Sequence, residues 1–140
     1  MGYCMNLMES TAGFETKNSE KILTAIQNLA GKETIHDSNG GHFSWVANNF
    51  YEIRDIEKIF EEWRWKIEKN GSDYKIAGFL GEKLGDENIL FDAIAPYMNN
   101  GHIVMQGEDM LIWKWKFNHG RFREVNSRVI FEDEFHVNLK

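Results

Sequence analysis

Disulfides are excluded first, because the 140-residue chain holds a single cysteine, Cys4, and one thiol cannot close an internal bridge. Proline is just as scarce: Pro96 stands alone, so at most one element end is marked by it. No apolar run approaches the ~20 residues that cross a bilayer as a helix, so no membrane association is expected. The opening stretch "MGYCMNLMES" has neither a basic start nor a long apolar core. A secretory signal is therefore not expected, and the cytoplasm is the expected location. Basic charge is in deficit, with 16 Lys and Arg against 22 Asp and Glu, a net charge of −6 and a pI near 5.4. Phosphate backbones would be repelled overall, so direct nucleic-acid binding is not expected, although a local basic patch remains open.

Catalytic signatures are missing as well. The chain has no G-x-x-x-x-G-K-[ST], no G-x-S-x-G, no H-E-x-x-H and no pair of C-x-x-C sites. Neither an enzyme activity nor a cofactor is expected. His36, Asp37 and His42 share a glycine-containing loop, but two histidines without a cysteine make a weak ligand set, and the loop is read as solvated with no metal. "GEKLGDE" at 81–87 leads into a helix start, where amides attract anions, yet Glu82, Asp86 and Glu87 already supply negative charge there. A capped loop–helix junction explains it. Cys4 lies on an apolar-patterned first segment and is read as a buried structural thiol.

What is present describes one globular domain over 1–140, with 42% hydrophobic, 14% aromatic and 27% charged residues. Tyr3, Met5 and Leu7 alternate as on a strand. Asn18 or Ser19 can cap a helix whose stripe is Ile22, Leu23, Ile26, Leu29 and Ala30, stopped at Gly31. "HDSNGGH" reads as a loop, and "HFSWVA" after it as a short strand beside the first. Asp55 can cap a second helix through Ile56, Ile59 and Phe60. Asp86 can cap a third through Ile89, Leu90, Ala93, Ile94 and Tyr97, ended by Pro96, Asn99, Asn100 and Gly101. "HIVMQ", "MLIWKWKF" and "RFREV", separated by turns at 107–109 and 118–120, read as a meander.

Two phrases, "WRWKI" at 63–67 and "WKWKF" at 113–117, hold four of the five tryptophans and begin 50 residues apart. On a helix starting at Ile56, Trp65 would lie about 180° from the buried stripe. On a strand, Trp63, Trp65 and Ile67 share one face and Arg64 and Lys66 the other. Each phrase is therefore predicted to open a hairpin with its tryptophans in the core, the first turning at Asn70-Gly71. The expected fold is α+β: an antiparallel sheet of about six or seven strands with three helices packed on one face.

Two surfaces follow. Arg64, Lys66, Lys69, Lys114, Lys116, Arg121 and Arg123 gather in the two hairpins. They form either a solvated face balanced by cross-strand glutamates or a small-anion or nucleotide site, with Arg64, Lys66, Lys114 and Lys116 as its candidates. Acidic clusters recur at 60–62, 85–87, 107–109 and 131–135. Several on one side would imitate a phosphate backbone and occupy a basic groove, with Glu108, Asp109, Glu132 and Asp133 as the partner-binding candidates.

The run "GEKLGDENILFDAIAPYMNNGHIVMQGEDMLIWKWKF", residues 81–117, resembles short uncharacterised proteins of bacterial and phage genomes, and the likeness extends loosely to "MGYCMNLMES" and "HFSW". The resemblance implies an accessory or mobile-element gene and carries over no functional residues. With the missing catalytic motifs and the acidic balance, the expected function is non-enzymatic. The leading reading is a phage-encoded inhibitor of a bacterial defence system, anti-CRISPR-like, binding a host or phage protein such as a nucleic-acid-binding effector. An anion-binding module on the basic hairpin face and an immunity or antitoxin protein are the alternatives.

Overall fold

The computed structural model describes residues 3–30, 46, 49–83 and 86–133. Their order is β1 (Tyr3–Ser10), β2 (Gly13–Glu15), α1 (Ser19–Gln27), α2 (Ile56–Glu62), β3 (Trp65–Asn70), β4 (Asp73–Phe79), β5 (Glu82–Lys83), α3 (Glu87–Ile94), β6 (Gly101–Gly107), β7 (Ile112–Asn118) and β8 (Arg121–Asn126). The class is α+β with antiparallel pairing, as the element pattern implies. The single large sheet is not what forms. Strands β1-β6-β7-β8 make one sheet, with the two-residue β5 on the outer edge of β1, and β2-β4-β3 make a second.

The division comes from one corner in the first extended segment. Ser10 pairs with Ile103, and the Thr11 amide still donates to the His102 carbonyl. One residue later the Ala12 carbonyl accepts from Ile76, and Gly13 pairs with Lys75 of the other sheet. Backbones approach closely on both sides of this switch. A Cβ at Gly101 would fall 2.5 Å from the Thr11 oxygen, and one at Gly13 would fall 2.2 Å from the Tyr74 oxygen. Residues on both sides of the corner are extended, so periodicity gives no sign that the chain has changed sheets.

Local signals fix the remaining ends. Asp55 caps α2 by accepting from the Glu57 and Lys58 amides at 2.9 and 3.0 Å. The helix then stops because Arg64 takes φ 69°, the left-handed turn that closes a C-terminus. Trp63 is thus buried from the end of α2, and β3 begins only at Trp65. The first hairpin turns at Gly71 with φ 66°. The β7–β8 hairpin turns at His119 and Gly120, both with positive φ, which matches strand twist. Asn18 and Asp86 occupy helix starts without a side-chain cap bond; the Asn18 amide instead donates to the Tyr97 carbonyl at 3.2 Å. Residues 31–45 and 47–48, which include "HDSNGGH" and most of "HFSWVA", lie outside the described residues; the described neighbours of β1 are β5 and β6.

The two tryptophan phrases meet in the core, Trp65, Trp113 and Trp115 by period-two alternation on their strands but Trp63, expected on the same strand as Trp65, from the end of α2. Trp63, Trp65 and Trp115 are fully buried and Trp113 nearly so. Trp65 and Trp115 pack edge to face with ring centroids 5.9 Å apart, bringing the inner faces of the two sheets together. Phe91 of α3 completes the cluster at 5.2 Å from both rings. The stripe read on α3 omitted Phe91, although its spacing from Ile94 is helical. Ile22 of α1 and Ile59 of α2 join the same core.

Candidate functional site

Because β6, β7 and β8 bury alternate residues inward, the residues between them share the outer face of the sheet. Inward go Ile103, Met105, Trp113, Trp115 and Phe117. Outward, the register sets His102 opposite Lys116 and Lys116 opposite Arg123; one row further, Val104 lies opposite Lys114 and Lys114 opposite Val125. Arg121 pairs with Asn118 at the hairpin end.

Lys116 and Arg123 are like charges directly across a ladder, an arrangement that destabilises a sheet unless something negative lies between them. Cross-strand glutamates do not supply it. Glu124 of β8 lies opposite Trp115 and accepts the indole N–H at 2.8 Å, so its carboxylate is committed to the other face. Among the described residues Lys114, Lys116, Arg121 and Arg123 make no ion pair. At the β6 side of this face Glu9 Oε1 sits 2.5 Å from His102 Nε2. A protein of net charge −6 therefore carries a locally positive face.

Two hollows follow one another along the β7–β8 ladder. One of about 260 Å³ is largely apolar and lined by Val104, Ile112, Trp113, Lys114, Val125, Asn126 and Ser127. The next, about 250 Å³, is lined by Lys116, Asn118, Arg121, Phe122 and Arg123. Both are small, of a size for one anionic group or one side chain rather than a large cofactor.

The four candidate cations are not assembled as the sequence grouped them. Trp65 points at Trp115 across the core, so the outward residues of β3 leave the molecule on the side away from those of β7. Lys66 lies 3.9 Å from Glu68 on its own strand, and the Arg64 side chain runs beside Gly81. Lys114 and Lys116 are joined instead by Arg121 and Arg123, which sequence analysis placed in the hairpins but not among the site candidates.

Glu108 and Asp109 occupy the β6–β7 turn, and Glu132 and Asp133 follow β8 in a helical turn. Asp109 is engaged locally, accepting from the Tyr3 hydroxyl and, at 3.2 Å, from the Leu111 amide. The hydrogen bond to Asp109 is the main reason the Tyr3 phenol is pushed up to about 12. Tyr3 covers Gly107, where a Cβ would collide with its ring. Exposed apolar residues border both acidic pairs: Met110, Leu111 and Ile112 in and after the turn, and Val129, Ile130 and Phe131 before Glu132. Ser127 Oγ donates to the Ile112 carbonyl at 2.6 Å, bringing the start of the C-terminal segment beside that turn.

A phenol held protonated by the fold contributes stability in full below its ordinary value near 10 and loses it as the pH rises through about 12. Tyr3→Phe is expected to be less stable than the wild type at neutral pH, with the gap closing between pH 10 and 12. Urea midpoints of both proteins across that range measure it, and a gap independent of pH would remove Asp109 as the partner.

Two sequence readings are corrected. Cys4 is exposed, because it alternates with Tyr3, Met5 and Leu7 and so faces outward. Asp86 and Glu87, read as one of the recurring acidic clusters that a partner could meet, are buried at the start of α3. The loop with His36, Asp37 and His42 lies outside the described residues; among those described, no three His, Cys, Asp or Glu residues come together as metal ligands. No described helix is long and apolar enough to cross a membrane. Compared with protein-family models, characterised proteins and solved structures, the chain finds no match.

Proposed function

We propose that this chain is a non-enzymatic binding module whose outer β6–β7–β8 face takes an anionic partner. The observation that carries the reading is the direct opposition of Lys116 and Arg123, neither of which makes an ion pair among the described residues. An incoming carboxylate, phosphate or sulfate relieves that repulsion, and the adjoining 250 Å³ hollow gives such a group somewhere to sit. The face carries aliphatic rather than exposed aromatic residues between its cations, which favours an anionic peptide or compact anion over stacked bases.

A second reading keeps the inhibitor hypothesis: a cytoplasmic, phage-encoded protein that presents Glu108, Asp109, Glu132 and Asp133 to the basic groove of a bacterial defence effector. Its support is that both acidic pairs border exposed apolar residues, Phe131 being 68% exposed, since apolar contacts ringed by charge are what protein interfaces use.

Inorganic polyphosphate separates the two. Wild type is expected to bind it. Lys116→Glu with Arg123→Glu removes two charge-assisted contacts of about 1.5 kcal/mol each, which weakens binding about 100-fold. Glu108→Lys with Asp109→Lys is expected to leave affinity equal or higher. Titration calorimetry at low salt reads both; polyphosphate binding that is absent from wild type, or indifferent to the first pair, overturns the basic-face reading.

A further inference from the structure

We infer that the occupant of the β7–β8 outer face is segment 129–133 of a second copy of this chain. The inference rests on the anionic-partner reading of that face and names the partner.

The face is graded along its length. Val104, Ile112 and Val125 line the apolar hollow at one end, Lys116, Arg121 and Arg123 line the cationic hollow at the other, and Lys114 stands at the apolar hollow's rim. Segment 129–133 carries the complementary order: Val129, Ile130 and Phe131, then Glu132 and Asp133, all exposed. Three consecutive apolar side chains left in water, one of them 84% exposed, form the kind of patch that a partner covers.

The reach is sufficient. Val129 to Phe131 lead directly into a helical turn that begins at Glu132, so the acids follow the apolar side chains closely. The long stems of Lys116, four strand steps or about 13 Å from Ile112, and of Arg123 opposite it span the remainder. Val129 to Phe131 can fill the apolar hollow while Glu132 and Asp133 arrive at Lys116 and Arg123. Their carboxylates then supply the negative charge that the opposed cations lack.

The contact is intermolecular for a topological reason. β8 runs from the cationic end of the face to the apolar end, and Ser127 is held at Ile112, so the chain leaves its own face beyond the apolar end. Its acids are carried away from its own cations, and residues 129–131 stay exposed. Two copies exchanging this segment reciprocally close as a two-fold dimer. Both molecules are net negative, so the association depends on local complementarity over distances near the ~8 Å screening length at physiological salt.

The test uses the full chain and its mass in solution, measured by sedimentation equilibrium across a wide concentration range, with near-ultraviolet circular dichroism confirming the fold of each variant. Wild type is expected to show a monomer–dimer equilibrium weakened by salt. Lys116→Glu with Arg123→Glu, and separately Glu132→Lys with Asp133→Lys, are each expected to weaken dimerisation at least 100-fold, as two charge-assisted contacts imply. The neutral pair Lys116→Gln with Arg123→Gln, which introduces no repulsion, is expected to weaken it at least tenfold. Mixing the two charge-reversed variants restores dimer mass, because the faces and segments then differ in sign both ways. A wild type that stays monomeric, variants that still dimerise, or a mixture that fails to reassociate overturns the proposal. Polyphosphate binding by a strictly monomeric wild type sinks self-association alone, whereas loss of both sinks the basic-face reading too.

Discussion

Replacing Trp65 with alanine is expected to cost about 3–5 kcal/mol, the range for emptying a large aromatic site in a packed core. Trp65 is fully buried, with Phe79 at 4.7 Å, Phe91 at 5.2 Å and Trp115 at 5.9 Å between ring centroids. These partners belong to β4, α3 and β7, so the cavity would open where both sheets and a helix converge. A double-mutant cycle with Trp115→Ala should return a coupling of about 0.5–1.5 kcal/mol, the edge-to-face term. Phenylalanine distinguishes the two rings further. Trp65 Nε1 is buried without a hydrogen-bond partner, so Trp65→Phe removes an unsatisfied donor together with some packing and is expected to cost about 1 kcal/mol or less. Trp115→Phe breaks the bond to Glu124 and should cost more. Denaturant unfolding measures the four single variants and the double alanine variant. If Trp65→Ala costs under about 1 kcal/mol, Trp65 is not part of the core.

Gly13→Ala should be nearly as damaging, although it adds a single methyl group. The new Cβ would lie 2.2 Å from the Tyr74 oxygen and 3.3 Å from Lys75 Cα, both backbone atoms of β4. A flexible side chain could swing aside; a paired strand cannot. Relief requires β2 to part from β4, and with it the Ile76 to Ala12 and Asn99 to Gly13 hydrogen bonds, at 2.9 Å each, that hold the corner. Overpacking of about 1–3 kcal/mol and two weakened hydrogen bonds of about 1 kcal/mol each place the loss near 3 kcal/mol or above. Gly71→Ala is the control. It has open space around it and φ 66°, so only backbone strain of about 1 kcal/mol applies. Thermal unfolding of the pair decides the matter: equal losses would mean that the corner yields where the geometry says it cannot.

Much of the fold was legible because its causes are local. The burial of Trp65 and Trp115 follows from alternation, since a strand places neighbours on opposite faces whatever it pairs with. The early end of α2, the capping role of Asp55 and the turns at Gly71 and at 118–120 follow from backbone sterics within a few residues. The exposure of Cys4 follows from the same rule, because the apolar look of its segment comes from Tyr3, Met5 and Leu7, which share the opposite face. Phe91 was equally visible at helical spacing, but nothing local marks it as the ring that touches both tryptophans.

The candidate site lies across that boundary. Alternation by itself determined that Lys114 and Lys116 face away from the core, and that Lys66 does so on its own strand; Arg64 precedes β3 in a left-handed turn and lies outside that rule. The hairpin turn at 118–120 sets Arg123 beside Lys116 locally, but whether the cations of the two phrases share a face is set by pairing between residues far apart in the chain, and only the tertiary structure decided it. The chain changes sheets at Thr11 and Ala12, and the two sheets meet through Trp65 and Trp115. The outward faces of the two phrases therefore point to opposite sides of the molecule: Arg64 and Lys66 are carried away from Lys114 and Lys116, while the turn at His119 and Gly120 brings Arg123 opposite Lys116. Sequence periodicity reports the direction of a side chain relative to its own backbone, and a tight turn fixes register within a hairpin; which hairpins share a face, and hence the charge of a surface, depends on contacts that no local pattern contains.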